Sequence, residues 1–338
     1  GAILPRTQIQ LISLLGPELL PALRHLSLVN VLFIRPYDDE HVALTAPPLD
    51  SLHIHLDRDR RVFDVDLTYL LSTFISVRHL SLTGCPTITV LEEDPDDEEP
   101  EYRHTEPEVL TVSRISSYLP YLRASSSTVL KNLASFKAGL FDIPLLDSME
   151  VAALHQIFTD AVEGSTSICL YYTLLDRVDR CRVPDFSPFL SFVHTFTLQF
   201  SLYEEESNLV NSSIWALAAK TLSTLIPINT PNFHLRTVVL KISGREQPTN
   251  WIPDLYDHHD LVAGLRISCA HHSAKLVEDT LLRLLEARDV LGDDGDESGG
   301  GLVVKIAPHD HAPPFDARIC RLLRGVLPRL DAMNILSF

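Results

Sequence analysis

The histidines are the residues whose number and spacing most invite a chemical role. The chain has 15 of them, and the tightest groups lie at 257–260 (Asp-His-His-Asp), at 271–272 and at 309–311. Zinc needs ligands that converge tetrahedrally from separated positions, commonly with helical i, i+4 or C-x-x-C spacing. Adjacent histidines on an extended segment point in opposite directions. The sequence therefore predicts solvated loop histidines, with no metal and no other cofactor.

The familiar catalytic signatures are missing from the sequence. It contains no G-x-S-x-G, H-E-x-x-H or G-x-G-x-x-G motif, and no Gly-rich phosphate loop ending in Lys and Ser or Thr. Gly299–Gly301 follows an acidic run that would repel phosphate, so this triplet predicts a flexible loop. The run at 293–297 lacks the alternating ligands and final glutamate of a calcium loop. We therefore expect a protein that is not an enzyme.

The net charge of the chain limits the kinds of partner that it can bind. The chain has 28 Lys and Arg against 45 Asp and Glu, a net charge of −17, which argues against a nucleic-acid ligand. Residues 92–101 hold eight of the acidic side chains, and residues 293–297 hold four more. Runs of like charge repel and stay solvated, so they predict acidic disordered insertions at about 92–108 and 292–300. The alternative is an acidic docking segment for a basic partner.

The five cysteines are scattered, without a close pair, which is typical of a reducing compartment with buried thiols. Residues 187–203 lack Asp, Glu, Lys and Arg, but they alternate Ser and Thr with apolar residues, which predicts a strand and not a membrane span. The first ten residues have neither the charged nor the long apolar part of a signal peptide. We expect a cytoplasmic or nuclear protein without membrane contact.

The elements that would position any site follow from an internal repeat. Leu23–Leu28 and Val77–Leu82 are nearly the same hexapeptide, and Leu49–Ile54 has the same apolar positions, at steps of 26 and 28 residues. The pattern L-x-x-L-x-L predicts a short strand whose alternate side chains point to one side. One strand cannot bury that side alone, whereas a stack of such strands, each joined to the next by a helix, can do so as a solenoid.

Segments of helical spacing precede several of these strands. They lie at 8–15 and 66–75, and again at 211–226, 275–290 and 315–327 ahead of strands expected at Leu235, Leu302 and 333–335. Trp215 and the leucines of these segments are expected in the core. Further strands are expected within 133–138, 168–172, 193–198, 235–240, 262–267, 302–306 and 330–335.

The repeat at Val77-x-x-Leu80-x-Leu82-x-x-Cys85-Pro-Thr-Ile88-Thr89 resembles the cysteine-containing leucine-rich repeat of F-box proteins. The loose array with long insertions is similar to the repeat regions of fungal F-box and leucine-rich-repeat proteins. The resemblance implies an α/β fold over 1–338, a single irregular leucine-rich-repeat solenoid with parallel strands on the concave side and helices on the convex side. It also implies that Cys85 lies inside the turn after its strand.

The same resemblance implies a non-enzymatic role in protein binding, as the substrate-recognition part of an F-box-type ubiquitin ligase. No F-box precedes the first repeat, so we expect a Skp-type adaptor as a partner only through an F-box upstream. The residues between the apolar anchors would form a mildly basic, pH-sensitive strip that binds a protein. These residues are Arg24, His25, Ser27, Ser51, His53, His55, Arg78, His79 and Ser81.

Two other hypotheses stay open. The chain could be a structural or sensor repeat domain of a larger protein without a ubiquitin role, or a hydrolase-like enzyme whose site is assembled from distant residues. A domain found upstream would separate the first of these from the F-box hypothesis, and a deep pocket of converging polar groups would favour the second.

Overall fold

The computed structural model describes many of the strands and helices together with the short connections beside them. The described residues are 22–29, 48–56, 67–72, 74, 76–84, 106–124, 129–130, 133–140, 148–163, 167–174, 183–202, 208–227, 234–244, 259–291, 302–309 and 312–338. They group into two compact units, and the division falls between Ile168 and Cys169.

Within the described residues the strands form a ten-stranded sheet, in which they follow the order of the sequence. The first five strands pair with their neighbours in parallel, and so do the last four. The class is α/β, as the sequence predicts. The strands are β1 His25–Val29, β2 Leu49–Leu56, β3 Val77–Gly84, β4 Val109–Val112, β5 Ser135–Leu140, β6 Ser167–Thr173, β7 Val193–Ser201, β8 Thr237–Ser243, β9 Val303–Pro308 and β10 Leu336–Ser337.

Helices occupy several of the connections, as parallel pairing requires, because each connection must return the chain to the same end of the sheet. The helices are α1 Leu67–Ser72, α2 Ile115–Ala124, α3 Ser148–Glu163, α4 Asn208–Ser223, α5 His259–His271, α6 Lys275–Leu291, α7 Ala317–Val326 and α8 Pro328–Ala332, with a 3-10 turn at Ser187–Phe189. None of the described helices is both long enough and apolar enough to cross a membrane.

The core of the first unit is built from apolar residues that line up across its strands. One row consists of Leu26, Leu52, Leu80, Leu110 and Phe136, and the next of Leu28, Ile54, Leu82, Val112 and Ala138. All are buried except Leu26, which is half-buried. Full burial of such a side chain stabilises the fold by about 1.5–3 kcal/mol. The leucines that recur in the sequence therefore line up in rows within the core of the first unit.

Gly84 ends β3 with a φ of 91°, a conformation that favours glycine. A Cβ at this position would overlap the carbonyl oxygen of Leu56 on the neighbouring strand. The glycine therefore allows β3 to turn away while its backbone stays against β2.

The second unit has rows of the same kind. Phe196, Val238 and Val304 share one row, and Leu198, Leu240 and Ile306 share the next, all of them buried. Trp215 on α4 is fully buried, as the sequence predicts, and its indole N–H donates to the Ser268 hydroxyl at 2.9 Å. The Ser268 hydroxyl donates in turn to the carbonyl of Gly264 at 2.8 Å. The largest side chain of this core is thus also hydrogen-bonded.

The buried carboxylate of Glu278 on α6 holds the last helix. It accepts hydrogen bonds from the backbone N–H groups of Arg329 and Leu330 at 2.6 and 3.2 Å, where α8 begins. These amide groups have no partner inside the helix, so an acceptor there also compensates the helix dipole. Asp279 forms an ion pair with the Arg329 side chain beside it.

Two expected strands are wrong. Residues 262–267 lie in α5, where Leu261, Val262, Leu265 and Ser268 are buried at helical spacing. The template L-x-x-L-x-I matches there because its first two anchors are also one helical turn apart. The strand expected at 333–335 begins at Leu336 instead, and Met333 is exposed just after α8.

The other expected elements are confirmed where the structure describes them. Helices are found at 67–72, 208–223, 275–291 and 317–326, and strands at each remaining expected position. The expected helix at 8–15, the turn around Cys85 and most of the insertions expected at about 92–108 and 292–300 lie outside the described residues. The end of the first insertion is wrong, because residues 106–108 lead into β4 and the backbone N–H of Glu108 donates to the carbonyl of Arg78 at 2.9 Å. Cys269 and Cys320 are free thiols, and burial raises the pKa of Cys269, which keeps it protonated.

Candidate functional site

Polar side chains cover the side of the first unit's sheet opposite its buried rows. They occupy the positions that alternate with the buried residues, and we call this surface the polar face. It consists of His25, Ser27 and Val29 on β1, Ser51, His53 and His55 on β2, His79, Ser81 and Thr83 on β3, Val109 and Thr111 on β4, and Ser135 and Lys137 on β5.

The register brings most of the residues proposed from the sequence together. His25, Ser51 and His79 share one row across three strands, and Ser27, His53 and Ser81 share the next. His55 pairs with Val29 on one side and Thr83 on the other. Neighbouring strands lie about 4.8 Å apart, so side chains within a row are in contact range.

Imidazole and hydroxyl groups pair across the strands of this face. The Nδ1 atom of His25 lies 2.7 Å from the hydroxyl of Ser51. The same type of contact joins His53 to Ser81 at 3.1 Å and His55 to Thr83 at 2.8 Å. A hydroxyl can donate to a neutral imidazole or accept from a protonated one. The pairs can therefore form in either protonation state of the ring.

His53 is half-buried on the polar face. Its Nε2 atom is also 3.4 Å from the Thr83 hydroxyl, and its ring stacks on that of His55 with centroids 6.4 Å apart. Burial lowers the pKa of His53, and the neighbouring His55 lowers it further. Both causes disfavour the charged form, so His53 stays neutral at a lower pH than an ordinary histidine.

Thr83 and its strand are held from the buried side as well. The fully buried Tyr118 on α2 donates its hydroxyl hydrogen bond to the carbonyl of Thr83 at 2.7 Å. Together with the Leu56 contact at Gly84, this bond fixes the end of β3. The end of β3 beneath the polar face is therefore tied to both α2 and β2.

Arg24 and Arg78 lie apart from the imidazole rows, in a row at the start of the strands. The row runs from Arg24 through Asp50 and Arg78 to Glu108, so positive and negative side chains alternate along it. Backbone hydrogen bonds join Arg24 to Asp50 and Arg78 to Glu108. Arg78 forms an ion pair with Glu108 at 2.7 Å. The hydrogen bond and charge of Glu108 raise the pKa of Arg78, and Asp50 adds to this.

This alternation corrects one expectation from the sequence. Arg24 and Arg78 are exposed as expected, but the row they share is charge-compensated and does not form a basic strip. The sequence could not show this, because Glu108 lies 30 residues away from Arg78 and belongs to the entry into a strand that the repeat pattern missed.

Sequence reasoning also missed Thr83, Thr111 and Lys137. β4 has only the four residues Val109–Val112, without the leading leucine of the repeat. Lys137 falls inside the expected strand 133–138, and its alternation with Phe136 and Ala138 was a usable signal for an outward position. Thr83 follows the last anchor of its repeat and would have been found by continuing the alternation.

The strands of the second unit also carry polar side chains that contact one another, but the pairs differ from those of the polar face. The Ser201 and Ser243 hydroxyls lie 2.9 Å apart on adjacent strands, and Gln199 contacts the ring of His309. His194 and His234 pack edge to face with centroids 5.8 Å apart. Burial lowers the pKa of His194, and the nearby His234 and Arg236 lower it further.

The described histidines form no metal site. Among the residues that the structure describes, no three His, Cys, Asp or Glu side chains converge as a metal would require. His259 and His271 are the first and last residues of α5, so these two lie in a helix and not in the loops that the sequence predicts, although both are exposed, as is His272.

No protein-family model, no curated protein and no solved structure matches the sequence. The chemistry of the polar face is therefore the observation from which a function can be inferred.

Proposed function

We propose that this chain is a non-enzymatic protein-binding module, built as an irregular leucine-rich-repeat solenoid, which binds its partner through the polar face. We further propose that the partner is a substrate of an F-box-type ubiquitin ligase, with a Skp-type adaptor engaged only through an F-box upstream. The alternative is a structural or sensor repeat domain without a ubiquitin role.

The repeat proposal is supported by the register of the first unit. Strands that follow one another in the chain are also neighbours in the sheet, and their apolar anchors share rows. Stacking of one supersecondary unit on the next is the way in which solenoid proteins bury a core.

The binding proposal rests on one observation, the ordered polar face on adjacent strands. Its imidazole and hydroxyl groups are already positioned by contacts of 2.7 to 3.1 Å, so little side-chain entropy is lost when a partner docks. A face of this kind offers hydrogen-bond donors and acceptors at a regular spacing, which suits recognition of another protein chain.

The His25–Ser51 contact is also short enough for a general base and a nucleophile. However, the same imidazole–hydroxyl pairing recurs at His53 with Ser81 and at His55 with Thr83. Active nucleophiles are single groups, each activated by its own surroundings, whereas a repeated pair is typical of a structural and recognition surface. This repetition favours binding over hydrolysis.

The proposal can be tested by site-specific photo-crosslinking in the source cells. A benzophenone side chain at Ser27 or Thr111 should capture the same protein, whereas one at the exposed Arg283 on α6 should not. The captured protein, once identified and purified, should bind the purified chain in solution. Capture at Arg283 alone, or no binding by the purified pair, would overturn the proposal.

The ubiquitin role needs a separate experiment on the identified partner. Depletion of this chain should lower the partner's ubiquitin conjugates and lengthen its half-life. An unchanged half-life, with binding intact, would favour the structural or sensor alternative.

A further inference from the structure

The polar face differs in charge from the protein that carries it. The whole chain has a net charge of −17, but the described outward positions of β1 to β5 that make up this face include no Asp or Glu. The nearest carboxylates of the described residues, Asp50 and Glu108, lie in the row at the strand starts beside Arg24 and Arg78, and Glu108 forms an ion pair with Arg78. Twelve of the 45 acidic residues lie in the runs at 92–101 and 293–297, so the rest of the chain has 33 Asp and Glu against 28 Lys and Arg. The contrast is therefore local, because the described positions of the polar face hold Lys137 and four histidines but no carboxylate.

The same face carries groups that donate hydrogen bonds or bear positive charge. Lys137 is exposed and lies in the row of Ser27, His53, Ser81 and Thr111. In the row before it, His25 and His79 are exposed at either side of Ser51. When a hydroxyl donates to the Nδ1 atom of a neutral imidazole, the ring's own proton lies on Nε2, where it can be donated to a ligand.

We propose that the polar face binds an acidic protein segment, whose Asp and Glu carboxylates accept hydrogen bonds from the Nε2–H groups of these imidazoles and pair with Lys137. This inference rests on the proposed function and specifies the partner's chemistry. A carboxylate that leaves water needs donors in return, and this face supplies them without a competing carboxylate.

Nucleic acid is the other polyanion to consider, and the charges disfavour it. Binding a phosphate backbone requires a dense row of Lys and Arg that displaces counterions. The polar face has one lysine, and the arginines nearest to it, Arg24 and Arg78, alternate with carboxylates. Carboxylates spaced along a peptide match isolated donors better than a continuous phosphate backbone does.

Fluorescence anisotropy with labelled synthetic peptides tests this inference directly. The probes are one peptide of alternating Glu and Gly, its Gln counterpart and an oligonucleotide of equal charge. At physiological salt, the Glu peptide should bind the full chain about tenfold more tightly than the Gln peptide.

Two substitutions of identical chemistry locate the binding. Lys137→Glu should lower the affinity for the Glu peptide by about fivefold. Lys275→Glu, at an exposed position on α6, should leave that affinity unchanged within about twofold. If Lys137→Glu alters the thermal melting curve, Lys137→Gln replaces it.

Equal binding of the Glu and Gln peptides, equal loss in the two lysine variants, or tighter binding of the oligonucleotide would each overturn the inference. The proposed function fails by a different result, since it predicts crosslinking of a protein at Ser27 and Thr111 whatever that protein's charge. A captured partner that lacks an acidic segment would leave the binding role intact and overturn only this inference.

Discussion

The Nδ1 atom of His53 lies 3.1 Å from the hydroxyl of Ser81, 28 residues further along the chain and one strand away in the sheet. The 28-residue spacing of the repeats therefore also places an imidazole beside a hydroxyl on the next strand. The buried anchors at Ile54 and Leu82 are matched in the same register. Packing on one side of the strands thus positions the polar groups on the other.

His53 should make stability depend on pH. Its pKa is lowered in the folded protein, first by burial and then by His55, so the unfolded state binds a proton more readily. The free energy of unfolding should therefore be at its plateau above pH 6.5 and fall as the pH drops below that value. Urea unfolding of wild type and His53→Asn between about pH 5.5 and 7.5 measures this, and the variant should show the smaller fall. Equal pH dependence in the two proteins would refute the assignment.

Gly84 should not tolerate a side chain. Gly84→Ala forces an L-residue to a φ of 91° and drives its Cβ into the carbonyl of Leu56, so the free energy of unfolding should drop by about 2 kcal/mol or more.

The matched control for this substitution is Gly325→Ala, within α7. The nearest atom to its added Cβ would be the Cys269 sulfur at 3.5 Å, an ordinary contact. This variant should gain about 0.5–1 kcal/mol, since alanine is the better helix former. Thermal melts of the two variants should shift in opposite directions, and shifts of the same sign would contradict the account of Gly84.

The Trp215–Ser268 hydrogen bond should show coupling in a double-mutant cycle. Ser268→Ala leaves a fully buried indole N–H without its acceptor, which should cost about 1–3 kcal/mol of unfolding free energy. Trp215→Phe removes that donor, so adding Ser268→Ala to it should cost clearly less. Additive losses in urea unfolding would mean that the bond does not contribute.

Thr173 offers a stabilising substitution. Among the described side chains, its hydroxyl is buried without a hydrogen-bond partner. Thr173→Val keeps the shape and removes the unsatisfied oxygen, so the free energy of unfolding should rise by about 1 kcal/mol. Thr221→Val is the control, because that buried hydroxyl donates to the carbonyl of Leu217 at 2.9 Å, and its loss should not stabilise the protein. A stabilising Thr221→Val or a destabilising Thr173→Val would contradict this reasoning.

Much of the first unit could be predicted from the sequence because burial there is periodic. The anchors of β1, β2 and β3 repeat at nearly constant steps, and alternation then places Ser27, Ser51 and Ser81 on the opposite side. β4 was missed because four residues are too few to show a period. The strand expected at 262–267 was wrong because apolar residues spaced by three fit one helical turn equally well.

The contacts of the polar face could be predicted less well than its residues. Alternation shows which side chains point outward but not which atoms meet, since this depends on the register between strands. The pairing of Arg78 with Glu108 follows from such a register across an insertion, and no local pattern indicates it.

The central claim is that the polar face binds a protein, and calorimetry of the purified chain with the partner identified by crosslinking tests it most directly. Ser27→Tyr places a bulky neutral side chain on the exposed edge of this face, and Ser223→Tyr makes the same change at an exposed position at the end of α4. The affinity of the first variant for the partner should be lower by about tenfold or more, and the second variant should bind the partner like wild type. Wild-type affinity in Ser27→Tyr, or an equal loss in both variants, would contradict the claim.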